Sequence, residues 1–204
     1  MARYTGPQTK ISRRFGEPLF GPDKFLDRRN FPPGQHGPAN KTRRKKASDY
    51  ALQLREKQKA KYVYGMLEKQ FRRFFDVCLS KRGNTGDLLL QMCESRLDNV
   101  VYRLGLAPTR PAARQLVTHR HVEIDGRVVN IPSAIVRPGQ KVGIRERDRN
   151  LVAVVESVKH PRGAACGWLE FDEAAKTGTF LRAPEPSEVP ETIDMQTIVE
   201  LYSR

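Results

Sequence analysis

Between residues 89 and 129 the spacing of apolar residues changes period, and that change dictates the fold of the middle of the chain. Leu89, Met92, Cys93, Leu97, Val100, Val101 and Leu104 recur at helical spacing and stop at Gly105, where a left-handed C-cap residue would sit. Thr109 is placed to cap a following helix that tolerates Pro111 in its first turn, with Ala113, Leu116 and Val117 facing inward. The pattern then alternates. Val122 and Ile124 are separated by a polar residue, Asp125-Gly126 is a hairpin turn, and Arg127-Val128-Val129 returns. Ile135-Val136 and Lys141 to Ile144 flank a Pro138-Gly139 turn, so residues 94 to about 147 read as a compact αα-then-β unit.

The flanks are different in kind. Residues 1–82 carry 21 Lys and Arg against 7 Asp and Glu, whereas the other 122 residues carry 16 of each, so the net charge of +14 is an N-terminal property. Self-repulsion destabilises a compact state, and a run such as Lys41-Thr42-Arg43-Arg44-Lys45-Lys46 needs a polyanion beside it. Residues 1–47 read as an extended basic arm: Gly6-Pro7, Pro18, Gly21-Pro22, Pro32-Pro33-Gly34 and Gly37-Pro38 interrupt regular structure, and five aromatic residues from Tyr4 to Phe31 are interleaved with cations. Those rings suit either pinning to the body or stacking on bases. Ser48 caps a helix through about Tyr62 on which Arg55, Lys57, Lys59 and Lys61 present charge. Phe71, Phe74, Phe75, Cys78 and Leu79 form one stripe of the next helix, with Arg72 and Arg73 opposite. Beyond the central unit, 151–158 reads as a helix, 168–171 and 179–181 as strands, 184–190 as a linker and 193–202 as a short helix.

Several function classes fall away. The longest apolar run, Leu151 to Val155, is far too short to span a bilayer, and residues 1–30 lack an apolar signal core, so a cytoplasmic protein without a membrane partner is expected. Cys78, Cys93 and Cys166 form no C-x-x-C pair; the first two fall on apolar stripes and read as core. No metal-ligand cluster, phosphate loop or nucleophile elbow is present, so neither metal nor cofactor is expected. The triplet Arg96-Leu97-Asp98 matches the catalytic core of pseudouridine synthases, but it lies in a helical stripe and no catalytic domain of sufficient length follows residue 147. Duplex DNA remains an alternative polyanion on charge alone.

Two groups of residues carry a family resemblance. The stretch Glu94-Ser95-Arg96-Leu97-Asp98-Asn99 through Gly105, then Thr109-Arg110, Ala113-Arg114-Gln115-Leu116-Val117 and His121-Val122-Glu123-Ile124-Asp125-Gly126-Arg127, resembles the small RNA-binding module named after bacterial small-subunit ribosomal protein four. Outside it, Met1 to Pro7, Pro32 to Gly37, Ser48 to Ala51, Leu54 to Lys59 and Glu200 to Arg204 resemble that ribosomal family itself. The resemblance implies an α+β protein: a mainly helical body with a basic extended N-terminal arm and an inserted small αα-β RNA-binding module. The expected division is 1–47 arm, 48–93 first part of the body, 94–157 inserted module and 158–204 return to the body. It implies a non-enzymatic protein that binds a multi-helix junction in the 5′ domain of small-subunit rRNA, nucleates assembly of the subunit body, and influences decoding accuracy beside the third and fifth small-subunit proteins, near where mRNA enters. No homo-oligomer is implied.

The expected rRNA-binding residues are Arg3, Tyr4, Lys10, Arg13, Arg14, Gln35, His36, Arg43, Arg44, Lys45 and Lys46 in the arm. In the body they are Arg55, Lys57, Lys59, Lys61, Arg72 and Arg73. In the module they are Arg96, Asn99, Arg103, Thr109, Arg110, Arg114, Gln115, His119 and Arg120. Guanidinium forks suit phosphate oxygens, and Arg110 and Arg114 share a helix face at i, i+4. Arg96 has an alternative, pairing with Asp98 or Glu94. Thr9 and Ser12 stand where many relatives carry zinc-binding cysteines, so no zinc is expected. Arg120 stands where many relatives have glycine, which strains the backbone if φ is positive there, and Asp125 replaces a usual asparagine.

Overall fold

The computed structural model describes residues 3–34, 37, 48–159, 166–190 and 193–203. The chain divides into two compact units, residues 1–77 with 193–204 and residues 78–192. Among the described residues, no helix is long and apolar enough to cross a membrane.

The first unit joins the two ends of the chain. Its arm is not wholly extended: α1 (Gln8–Phe15) and α2 (Lys24–Arg28) form within it. Two of the expected breakers border these helices instead of preventing them: Pro7 is the N-cap position of α1, and Gly21-Pro22 directly precedes Asp23, which caps α2 by accepting from Phe25 and Leu26; Gly16 adopts φ 75° as the C-cap of α1. Helix α3 (Asp49–Val63) starts at Ser48, whose Oγ accepts from the Ala51 amide at 3.3 Å. Helix α4 (Glu68–Leu79) buries Phe71, Phe75 and Cys78, while Leu79 is left exposed. The C-terminal helix, α9 in chain order (Met195–Tyr202), packs on α3, capped by Asp194 accepting from Thr197 N at 3.1 Å. Tyr202 lies 4.7 Å from the Phe75 ring, and Gln53 donates to Glu200 at 3.1 Å. Burial of Met195 and Ile198 offsets the modest helix propensity of its β-branched residues.

The second unit contains the period change. The apolar series from Leu89 to Leu104 is broken in two: α5 (Thr85–Glu94), capped by Asn84, and α6 (Leu97–Arg103), with Arg96 extended at their joint and bridged to Ile135. Gly105 has φ 75°, as its C-cap role requires. Thr109 Oγ1 accepts from Ala112 to open α7 (Arg110–Thr118). Strands β1 (Val122–Ile124), β2 (Arg127–Val128) and β3 (Lys141–Ile144) follow, and Asp125 and Gly126 take φ 50° and 76° in the hairpin. Helix α8 (Val152–Lys159) anchors through Ser157 Oγ donating to Gly105 O at 2.7 Å.

Residues 166–190 do not return to the body as expected. Strands β4 (Leu169–Asp172) and β5 (Thr177–Phe180) extend the module's sheet, which runs β2-β1-β3-β5-β4 and is antiparallel throughout. The reason is the ladder. Strand β3 has a second edge, and β5 pairs with it from Lys141↔Thr179 to Gly143↔Thr177. Gly143 and Gly178 permit the fit, because a Cβ at the first would collide with Thr177 and at the second with Leu104. Trp168 and Phe180, each 1% exposed, complete the core beneath. The expected boundary at 157/158 therefore moves to the end of this hairpin and its trailing turn.

Candidate nucleic-acid interface

Basic residues in both units divide into those tied to carboxylates and those directed outward. In the second unit Glu94, fully buried, accepts from Arg103 Nε at 2.9 Å and Nη2 at 2.8 Å and from Asn99 Nδ2 at 2.6 Å. Asp98 accepts from Arg96 Nε at 3.1 Å and Nη2 at 2.7 Å, and from Arg114 Nη1 at 3.1 Å. Arg96, Asn99, Arg103 and Arg114 are 0, 2, 6 and 8% exposed. These four were expected at an rRNA surface, and the structure places them inside the protein. The physical reason is the pair of buried carboxylates: a fork engaged by Glu94 or Asp98 in low dielectric cannot leave for a solvated phosphate without abandoning a buried charge. Of the two readings of Arg96, the structure shows the pairing with Asp98.

Arg110 is intermediate. Its Nε donates to Asn99 Oδ1 at 2.8 Å, and its guanidinium lies 4.6 Å over the Tyr102 ring. Asn99 is thus a buried relay that takes its own orientation from Glu94 and holds Arg110 at the rim of α7. Gln115, His119 and Arg120 are exposed along and just beyond the same helix, whereas Thr109 is occupied as its N-cap. Arg120 has φ 64°, the strained conformation anticipated for this position, and its carbonyl accepts from Arg145 Nη1 at 3.4 Å. Sequence reasoning did not single out Arg145, Arg147, Arg149 or Lys176. The signal of the three arginines was hidden because they alternate with Glu146 and Asp148, which leaves 145–149 a net charge of only +1. Asp148 is held below the usual carboxylate range, chiefly by its 2.9 Å hydrogen bond with His121 Nδ1 and further by Arg147; the Lys176 ammonium bonds Arg149 O.

In the first unit the lysines of α3 are likewise engaged. Lys57 and Lys61 bind the two oxygens of Glu68 at 2.8 and 2.7 Å, and Lys59 binds Glu17 at 2.6 Å. They were expected on phosphate and instead tie α3 to α4 and to the arm. Burial raises the Glu68 pKa, but hydrogen bonds from Lys57, Lys61 and Tyr202 outweigh it and bring it to about 2. Arg55 is exposed yet donates to Phe15 O at 2.6 Å, and Arg13 Nε bridges the carbonyls of Arg29 and Phe31. Arg3, Lys10, Arg14 and Arg73 are exposed. Tyr4 sits edge-on to Tyr62, and Arg72 pairs with Asp76 at 3.1 Å beside the Tyr202 ring. Gln35, His36, Arg43, Arg44, Lys45 and Lys46 lie outside the described residues.

Cys78 and Cys93 are buried, as read from the stripes, and burial pushes the Cys78 thiol up to about 11. Ser12 is buried in α1, and among the described residues no group of three His, Cys, Asp or Glu could hold a metal.

The sequence pattern of the Ribosomal protein S4/S9 N-terminal domain matches residues 3–94, and that of the S4 domain matches residues 95–142. Small ribosomal subunit protein uS4 of Bacteroides fragilis is 55% identical over 204 residues, covering 100% of both chains. The chain belongs to the uS4 family. Small ribosomal subunit protein uS4 of Porphyromonas gingivalis is also 55% identical and that of Christiangramia forsetii 54% identical, again over the full length of both chains. As a uS4 protein it is an RNA-binding structural protein of the small ribosomal subunit, acting in translation in the cytoplasm, and not an enzyme.

Proposed function

We propose that this uS4 chain is a primary rRNA-binding protein that recognises a multi-helix junction of the 5′ domain and nucleates assembly of the subunit body. The observation that carries this is the division of cations in the module. Gln115, His119 and Arg120 are exposed on and after α7 and half-buried Arg110 stands at its rim, while Arg96, Arg103 and Arg114 behind them are fixed to carboxylates. A rim of donors whose Arg110 is held by a buried network suits the shape of folded RNA, and the N-terminal excess of +14 supplies affinity that does not depend on sequence. Beside the third and fifth small-subunit proteins, near where mRNA enters, the same chain contributes to decoding accuracy; its charge-neutral residues 83–204 suit protein neighbours.

The test is a salt titration of affinity for the 5′ domain rRNA, an unrelated folded RNA and duplex DNA. Each neutralised phosphate contributes a log–log slope of about −0.7 to −0.9. The expected result is an rRNA advantage on the order of several hundredfold or more that persists as salt rises. Convergence of all three ligands on one weak affinity would leave only electrostatic adhesion and overturn the proposal.

A further inference from the structure

The two edges of the module's sheet are built differently. Edge strand β2 is two residues long, Arg127–Val128, and a strand that short offers little ladder to a newcomer. Edge strand β4 is four residues long and contains no Lys, no Pro and no bulge in its register with β5. Its outward hydrogen-bonding groups follow from the pairing. Phe180, opposite Leu169, sends its amide and carbonyl to Gln140 and Gly139 on the β3 side, and Leu181 N donates to Trp168 O. Residues 168, 170 and 172 therefore face β5, and the alternation of an antiparallel ladder turns the amide and carbonyl of Phe171 and the carbonyl of Leu169 away from the sheet.

The side chains along that edge are acidic on one face and apolar on the other. Glu170 and Asp172 share the face of Thr179 and Thr177, and Glu173 follows; β4 and this next residue hold three carboxylates and no cation. Phe171 lies on the opposite face, that of Gly178, and is 36% exposed; Leu181, just beyond β5 and 48% exposed, follows Thr179 on the side of the carboxylates. Lysine, proline, a bulge and an inward charge, which blunt edges against pairing, are absent from β4; the charges that it carries are all negative and admit a strand that brings cations. In a chain of net charge +14, three adjacent carboxylates repel a nucleic-acid backbone and attract a polycation.

We infer that β4 is a docking edge for an extended, lysine- or arginine-rich segment of another protein, which adds as a sixth antiparallel or parallel strand. Backbone bonds to Phe171 and Leu169 fix its register, its cations lie over Glu170 and Asp172, and an apolar residue covers Phe171. The inference needs only that RNA is bound elsewhere on the chain, and it stands or falls separately from rRNA recognition.

The test uses the isotope-labelled full-length protein and a defined probe, the capped peptide Lys-Val-Lys-Val-Lys-Val-Lys. The expected result is slowed exchange of the Phe171 amide and shifts confined to 169–173 and 181. The double variant Glu170→Lys, Asp172→Lys should bind about tenfold more weakly while its rRNA affinity does not fall. A peptide with proline at the central position should lose binding, because it lacks a ladder donor. Equal binding of the proline peptide, shifts on β2 instead, or an unaffected double variant would overturn the proposal. So would the same protection produced by an RNA oligonucleotide, or by the protein alone as its concentration rises.

Discussion

The two units solve the same electrostatic problem with different chemistry. In the first, three lysines of α3 reach half-exposed carboxylates: the Glu68 side chain that binds Lys57 and Lys61 is 46% exposed, as is that of Glu17 beneath Lys59. In the second, arginine forks grip Glu94 and Asp98, whose side chains are 0% and 6% exposed. A lysine ammonium is a strongly hydrated point charge, and pairs like these remain near water and are weak. A planar fork saturates a carboxylate in the interior and fixes direction as well as charge. The module can therefore hold Asn99, and through it Arg110, in one orientation, whereas the lysines of α3 chiefly bind helices and arm together. A count of cations treats both groups alike; the carboxylates within reach set them apart.

The largest expected effect breaks the buried side of this comparison. Glu94→Ala leaves the Arg103 guanidinium and the Asn99 amide without their acceptor and should cost about 3–5 kcal/mol. Urea unfolding measures it, and a loss under about 1 kcal/mol would mean that the network is dispensable.

Next, Arg114→Ala and Arg110→Ala should separate, although both residues lie on one face of α7. Arg114→Ala should lower stability by about 2 kcal/mol because Asp98 loses a buried partner. Arg110→Ala should cost about 1 kcal/mol or less in stability and weaken 5′ domain rRNA binding about tenfold. Matching effects of the two in both assays would erase the distinction between inner and outer cations.

On the lysine side, Glu68→Gln should cost about 1 kcal/mol at neutral pH, a value reduced by solvent screening of a half-exposed group. Its folded pKa of about 2 lies below the ordinary 4.5, so unfolded chains take up the proton first as pH falls. The contribution is complete above about pH 4.5 and disappears between about 4.5 and 2. The difference between wild type and variant, followed in urea across that window, should close; a constant gap would refute the ion pairs as its source.

The smallest effect concerns Arg120. Arg120→Gly relieves φ 64° and should add about 1 kcal/mol of stability while removing one outward cation, flattening the salt slope by about 0.7–0.9. An unchanged slope with raised stability would assign Arg120 no phosphate contact.

Much of the module was legible because its signals are local. Asp125-Gly126 fixes a hairpin through φ preferences of neighbouring residues, Gly105 ends a helix for the same reason, and Thr109 names its own amide partner three residues on. The arm was read too loosely. Its glycines and prolines are strong punctuation, but punctuation at the ends of α1 and α2 delimits helices rather than forbidding them. The exposure of Gln115, His119 and Arg120 was legible because they lie off or beyond the inward stripe of α7, and the approach of Arg145 to Arg120 was not, because the pairing of β3 with β1 produces it.

The sequence by itself determined the period change from helix to strand, the caps, the hairpin turn and the N-terminal charge excess. Each depends on residue type and short spacing alone; the family was legible only as a resemblance of whole motifs. Only the tertiary structure decided that β4 and β5 complete the module's sheet, that Arg96, Arg103 and Arg114 are interior, and that Arg110 is held at a rim by Asn99. Those outcomes depend on which distant carboxylate or strand edge comes within about 3 Å of a donor, where electrostatic and hydrogen-bond energies become decisive. Linear spacing does not encode that distance.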